Sequence, residues 1–348
     1  VYEHPLTRRA LLLGAAAGVA ALAEGCSANP TGPPPVLSTT PATLPARTRT
    51  TTPIPGAMPR SPSPRRKPPD PAKVKANELG TVPVMMYHRL TNKPGEYDMT
   101  PAAFRAQVRR LLHSGYRPID ARDLARGRVD VPAGMTPVVL TFDDGSPGQF
   151  ALRADGRLDP GCAAGILTAE CAKVPGAQPR ATFYINRAPF GLRSERQQRR
   201  SLRALLELGF QLGNHTLDHA NLATLPDAGV AEQFVKLQRL VARLAPSADL
   251  NTMALPFGVA PRRSRLARTG SWRGTSYAFA MTLLVGANPS RSPFDADFHP
   301  YAVPRIRGTS WHGGRTPLTG TYWLNHLDAY PHERYVSAGN PGHVTVPT

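Results

Sequence analysis

From residue 81 onward the chain alternates short apolar runs with longer stretches whose apolar side chains recur every three or four positions. The runs at 82–87, 137–142, 181–186, 210–213 and 252–255 predict buried strands. Thr100-Pro101 supplies an N-cap and a proline at the first helical position. Phe104, Val108, Leu111 and Leu112 follow at helical spacing, and Gly115 closes that element. Helices are likewise predicted over 196–208 and 228–244, the second with Val230, Phe234, Leu237, Val241 and Leu244 on one face. Further strands are expected at 277–285 and 304–306, and a last helix over 319–330. The stretch 150–178 breaks this rhythm with glycines, prolines and two cysteines, and reads as an insertion. Repeated β-α units imply a parallel sheet with helices outside it, either open or closed into a barrel.

Before residue 81 the texture is different. Fourteen of the 38 prolines lie between Asn29 and Pro71, interleaved with Thr, Ser and Arg. Such composition cannot bury enough apolar surface to fold, so residues 27–80 are expected to form an extended tether. Residues 1–26 carry Arg8-Arg9 followed by an apolar run from Ala10 to Ala23, the pattern of a secretory signal with a twin-arginine flavour. Cys26 follows small residues where a bacterial lipoprotein would be cleaved and lipidated. The expectation is an exported protein, membrane-anchored through Cys26 or freely secreted into the wall, with its folded domain at 81–348. Under oxidising conditions Cys162 and Cys171 are expected to close a short disulfide within the insertion.

The net charge of +18 adds a partner class. Arginines are scattered, and no helix-turn-helix, zinc-finger or RNA-binding signature accompanies them, which argues against nucleic acid. Attraction to anionic wall polymers or lipid headgroups explains the sign. A solvated arginine-rich surface explains it equally well.

Candidate chemistry gathers at three strand ends, where parallel α/β folds carry their functional groups. Thr141-Phe142 leads into Asp143-Asp144-Gly145, Gly213-Asn214 into His215-Thr216-Leu217-Asp218-His219, and Ala254-Leu255 into Pro256-Phe257-Gly258. Asp-Asp-Gly alone is commonly a turn, and a histidine pair alone commonly a loop feature. Together, one Asp and two His form an N₂O ligand set that leaves positions open for water and substrate. The second carboxylate is then free to act as a base.

These motifs resemble the polysaccharide deacetylase family, the NodB-like carbohydrate esterases. Thr141-Phe142-Asp143-Asp144-Gly145 is similar to the family's first motif and His215-Thr216-Leu217-Asp218-His219 to its second, while Val82 to His88 resembles the Met-Tyr-His opening of the exopolysaccharide-deacetylase branch. The resemblance implies a distorted, incomplete (β/α) barrel. It implies Asp143 as general base, and Asp144, His215 and His219 as ligands of one divalent ion, Zn²⁺ first, with Co, Ni or Mn as alternatives. The Phe257 backbone N–H would stabilise the oxyanion. The implied substrate is an acetylated polysaccharide containing N-acetylglucosamine, either peptidoglycan or an exopolysaccharide. An O-acetyl esterase and a sugar-binding pseudoenzyme remain as rival readings.

Two family features are missing at their usual places. Ala254 stands where the third motif has the arginine that orients the base, with Arg305 and Arg307 as substitutes. No clear match exists for the catalytic-acid histidine. His88, His312 and His326 are the candidates, each more readily read as a surface or structural histidine.

Overall fold

The computed structural model describes residues 70–93, 95–309 and 319–346. The signal-like segment, Cys26, most of the tether and His312 lie outside them. In chain order the first elements are β1 (Val84–Tyr87), β2 (Arg89–Leu90), β3 (Asp98–Met99), α1 (Pro101–His113), β4 (Tyr116–Ile119), α2 (Ala121–Ala125) and β5 (Thr136–Phe142). Next come α3 (Ala163–Cys171), β6 (Thr182–Ile185), α4 (Glu195–Glu207), β7 (Gln211–Asn214), α5 (Asp227–Leu244) and β8 (Thr252–Ala254). The last are β9 (Thr269–Trp272), β10 (Thr275–Ala278), β11 (Met281–Leu283), β12 (Ile306–Arg307) and α6 (Gly320–Ala329). No helix among the described residues is long and apolar enough to cross a membrane.

The central sheet is parallel, in the order β11-β8-β7-β6-β5-β1-β12. β5 is buried along its whole length, as its unbroken Val-Val-Leu core suggests. Val139 pairs with Val84 of β1 on one side and Ile119 of β4 on the other, while Thr141 pairs with Met86 and with Thr182 of β6. β4 and β6 therefore share one edge of β5 in succession. The two ends of the sheet meet through a single segment: Val303 bridges to Leu283 of β11, and Ile306 pairs with Met85 of β1. This curls the sheet into a barrel closed by one short stretch of backbone, the incomplete (β/α) barrel anticipated from sequence.

The sequence pattern missed β4 because Pro118 lies inside it. A proline lacks the ladder N–H, but β4 pairs only with β5, so the missing donor costs no bond. The run 277–285 is two strands rather than one. β10 turns back on β9 through Arg273-Gly274, both at positive φ, and the chain bends at Phe279 before β11. Tyr277 and Phe279 both pack on Phe234 of α5, so the apolar alternation runs on through the bend.

The region read as an insertion holds a buried helix. α3 packs against α1, and Glu170 near its end is clasped by Arg105 at 2.7 Å, Arg109 at 2.8 Å and Lys173 at 3.0 Å. This corrects the expected disulfide: Cys162 caps the start of α3, Cys171 ends it, and both thiols are free and buried. At the helical rise of about 1.5 Å per residue they stand roughly 13 Å apart, beyond the span of any disulfide. The lower boundary of the domain also moves. Residues 70–80 are folded onto the C-terminal segment. Asn77 bridges to Val336, and buried Glu78 accepts hydrogen bonds from the backbone N–H groups of Ala338 at 3.0 Å and Thr345 at 2.7 Å. Gly80 lies so close to Arg334 that a Cβ would meet its backbone at 2.2 Å.

One buried acid stands apart. Asp120, after β4, is 3% exposed, and its Oδ1 has no hydrogen-bond partner. Burial outweighs the pull of Arg180 and pushes its carboxyl up to about 7. Because the folded state holds this proton more tightly, the unfolded chain binds fewer protons between about pH 4 and 7. Stability is thus expected to fall through that window and level off above it, by an amount on the order of 4 kcal/mol. Asp120→Asn should remove this slope and be the more stable protein at pH 8. Equal pH dependence of denaturant unfolding in both proteins would refute it.

Candidate active site

Strands β5, β7 and β8 each end in a turn that no ordinary strand exit requires. Asp144, Thr216, His219 and Phe257 all have φ between +51° and +70°, a region costly for side chains with a Cβ. Strain of this kind persists where surrounding contacts fix it, and here the contacts are visible. Asn186, at the end of β6, donates to the carbonyls of His215 at 2.6 Å and Thr216 at 2.9 Å. Gln149 donates to the carbonyls of Asp143 at 2.5 Å and His88 at 2.6 Å, tying the exits of β5 and β1 together. Neither residue carried a recognisable motif; Gln149 lies at the edge of the supposed insertion.

These turns bring Asp144, His215 and His219 together. Their ligand atoms lie within 4.8 Å of one another, and Asp144 Oδ1 is 3.3 Å from Nε2 of each histidine. His215 Nδ1 is 2.8 Å from the carbonyl of Ala254. A proton on Nδ1 donates to that carbonyl and leaves the Nε2 lone pair facing Asp144, the arrangement metal-bound histidines show. Asp144 Oδ1 is a buried atom without a hydrogen-bond partner. Three convergent donors of this chemistry fit a divalent cation with open positions. Burial depresses His219, with His215 beside it adding to the effect. Burial also works against charge on His215, but Asp143 and Asp144 outweigh it and raise that histidine.

Asp143 faces the barrel interior, 1% exposed, and there it meets Arg305. The guanidinium binds the carboxylate in a fork, Nη1 to Oδ1 at 2.8 Å and Nη2 to Oδ2 at 2.7 Å. Nη1 also donates to Thr141 Oγ1 at 3.1 Å and Nε to the Leu284 carbonyl at 2.7 Å. Burial would raise the Asp143 carboxyl, but Arg305, followed by His215, holds it well below the usual range. Arg305 comes from the segment that closes the barrel, and it supplies the charge that Ala254 cannot. Arg307, the other candidate, turns outward to Glu96 and Tyr97.

Residues 130–270 match the family described as Polysaccharide deacetylase. This stretch holds Asp143, Asp144, His215, His219 and Phe257. Solved structures similar to the chain include the Streptococcus pyogenes deacetylase PplD in complex with acetate, at 16% identity and a TM-score of 0.49, covering 70% of this chain and 97% of that one. A polysaccharide deacetylase from Bacillus cereus aligns at 17% identity and a TM-score of 0.49, covering 71% and 69%. IcaB from Ammonifex degensii aligns at 19% identity and a TM-score of 0.47, covering 66% and 93%. No curated protein matches the sequence.

The remaining histidines separate clearly. His88, after β1, lines the same cleft, with Nε2 4.0 Å from Asp143 Oδ2. Burial holds it below the usual histidine range against the pull of Asp143 and Asp144. Of the candidate acids named from sequence, His88 is thus the one that lies in the cleft among the described residues. His326 sits on the outer helix α6, paired with Glu333 at 2.8 Å, and takes no part in lining the cleft. The cleft, about 320 Å³, is completed by Arg89, Tyr97, Leu255, Phe257 and Val285.

Proposed function

We propose that this protein hydrolyses the N-acetyl groups of an envelope or extracellular polysaccharide containing N-acetylglucosamine, with the aid of one divalent ion, Zn²⁺ first. The observation that carries this reading is a buried carboxylate, Asp143, held in a bidentate fork by Arg305 beside the Asp144, His215 and His219 cluster. A divalent ion held by those three residues supplies Lewis-acid polarisation of an acyl oxygen and acidifies water. The chain's own groups do the rest. Asp143 takes the proton of the water that attacks the acetyl carbon. The Phe257 backbone N–H, in the strained turn after β8, donates to the oxygen on which negative charge develops. As the C–N bond breaks, the departing nitrogen needs a proton. His88, with Nε2 4.0 Å from Asp143 Oδ2, takes up the proton that Asp143 has gathered and passes it to that nitrogen.

The pseudoenzyme reading rested on a missing arginine and a missing acid; Arg305 paired with Asp143 and His88 in the cleft weigh against it. The rival O-acetyl esterase is separated by the demand on the acid. A nitrogen leaving group requires protonation, whereas 4-nitrophenolate leaves readily without it. His88→Gln is expected to lose roughly 10²–10⁴-fold in release of acetate from N-acetylglucosamine oligomers. Its hydrolysis of 4-nitrophenyl acetate should change far less, and removal of metal by a chelator should abolish both. Equal losses on the two substrates would strip His88 of its role as acid. A wild-type enzyme active on sugar O-acetyl esters but inert on N-acetyl groups would overturn the amidohydrolase reading.

A further inference from the structure

Away from the cleft, the arginines of one flank are treated unlike those elsewhere on the barrel. On α1, Arg105 and Arg109 bind Glu170, and Arg110 binds Asp328. Between Asp249 and Asp295, by contrast, the chain holds six arginines and no Asp or Glu. Arg263 and Arg291 reach carboxylates at the borders of that stretch or beyond it, Asp227 at 3.1 Å and Asp295 at 2.8 Å. Among the described residues the other four, Arg262, Arg265, Arg268 and Arg273, pair with no carboxylate, and all four are exposed. They lie on the connection from β8 to β11. A (β/α) barrel ordinarily has a helix there, and this chain has the β9–β10 hairpin packed on α5. Lys236 and Arg239 of α5, both exposed, add their charges beside it.

The end of the hairpin is built around Trp272, which is half-buried. Lys236, Arg239 and Arg273 place their charged groups over its ring, 5.6, 5.3 and 4.6 Å from the centroid. The ring face is thus taken by the chain's own cations. Its indole N–H is open to solvent and has no hydrogen-bond partner among the described residues. Arg239 also donates to the Arg273 carbonyl and to Thr275 Oγ1, each at 2.7 Å, which holds the turn on α5. Trp272 pairs with Thr275, leaving Arg273 and Gly274 as a two-residue loop with φ of +45° and +75°. Such a loop favours Asn-Gly, and arginine at its first position carries a conformational cost that asparagine largely avoids. An arginine there also adds to a face where like charges already repel one another, a strain that an anionic partner relieves.

We infer that this flank, the 262–273 segment with Lys236 and Arg239, docks on an anionic lipid surface. Exposed arginines around a tryptophan are the composition that settles at headgroup level, with guanidinium groups on phosphates and the indole N–H on nearby oxygens. A soluble polyanion uses the charge alone, whereas a headgroup layer also accommodates the half-buried indole. The test takes the full chain with Cys26→Ser, so that no attached lipid contributes. It measures co-sedimentation with vesicles of phosphatidylglycerol and phosphatidylcholine in equal parts, against phosphatidylcholine alone. Binding to the anionic vesicles only, weakening as salt is raised, is expected. The triple variant Arg265→Gln, Arg268→Gln, Arg273→Asn should bind roughly 100-fold more weakly, about 5-fold for each charge. Its circular dichroism should match wild type, since asparagine suits the turn. Tryptophan fluorescence should shift to the blue on anionic vesicles in wild type and not in Trp272→Phe. A wild type indifferent to lipid charge, a folded triple variant that binds as tightly as wild type, or a blue shift kept by Trp272→Phe would overturn the inference. Tighter binding to soluble polyphosphate than to the vesicles, at equal phosphate, would assign the face to an anionic polymer instead.

Discussion

Asp143→Asn is expected to lower the deacetylation rate by roughly 10²–10⁴-fold while the ion stays bound. The substitution keeps the shape of the side chain and deletes the proton acceptor. Asp143 points into the barrel toward Arg305, whereas Asp144 carries the oxygen nearest both histidines, so the two neighbouring carboxylates act separately. The structure adds a second consequence. Arg305 is fully buried, and with Asp143 neutral its charge is left without a counter-ion. Losing one partner of a buried pair typically costs about 3–5 kcal/mol, so the variant should also unfold at lower denaturant concentration. Rates must therefore be compared per folded molecule, with elemental analysis of the same sample. Full activity in folded Asp143→Asn would move the base elsewhere and revive the binding-only reading.

His215→Ala should remove the ion itself. His215 is 1% exposed, its Nε2 faces Asp144 Oδ1, and its Nδ1 is oriented by the Ala254 carbonyl. Loss of a contact that merely supports a ligand costs about 10–100-fold in metal affinity or activity, and loss of a ligand should exceed that. The purified variant is expected to contain well under one ion per chain and to release acetate at background rate. Circular dichroism must show the fold intact, because a buried imidazole is being removed. An ion retained at wild-type stoichiometry in folded His215→Ala would sink the assignment of the Asp144, His215 and His219 set.

Much of this site was legible in the chain because its parts are local. Asp143-Asp144-Gly145 and the two histidines four residues apart each sit at the end of one apolar run. A strand followed by a reactive turn is a short-range pattern. The strands themselves were readable where burial on both faces produced unbroken apolar runs, as in β5. Pattern reading failed where the pairing context overrode propensity. Pro118 fits β4 because that strand has a single neighbour, and the run through Phe279 bends because its rings share one face of α5. The helix α3 was hidden among glycines and small residues that allow close packing against α1. That helix is also what keeps Cys162 and Cys171 apart.

The parallel β-α architecture and the candidate residues Asp143, Asp144, His215 and His219 were readable in the sequence, since each sits in a short motif at the end of one apolar run. Tertiary structure alone decided what surrounds the base. Arg305 is 162 positions from Asp143 and becomes its partner only because the barrel closes through the 303–307 segment. His88 enters the cleft because β1 pairs with β5, and Tyr97 is fixed there by Arg307 of β12. Such contacts depend on which strands become neighbours when the sheet curls, and that is set by packing across the whole domain rather than by any local run of residues.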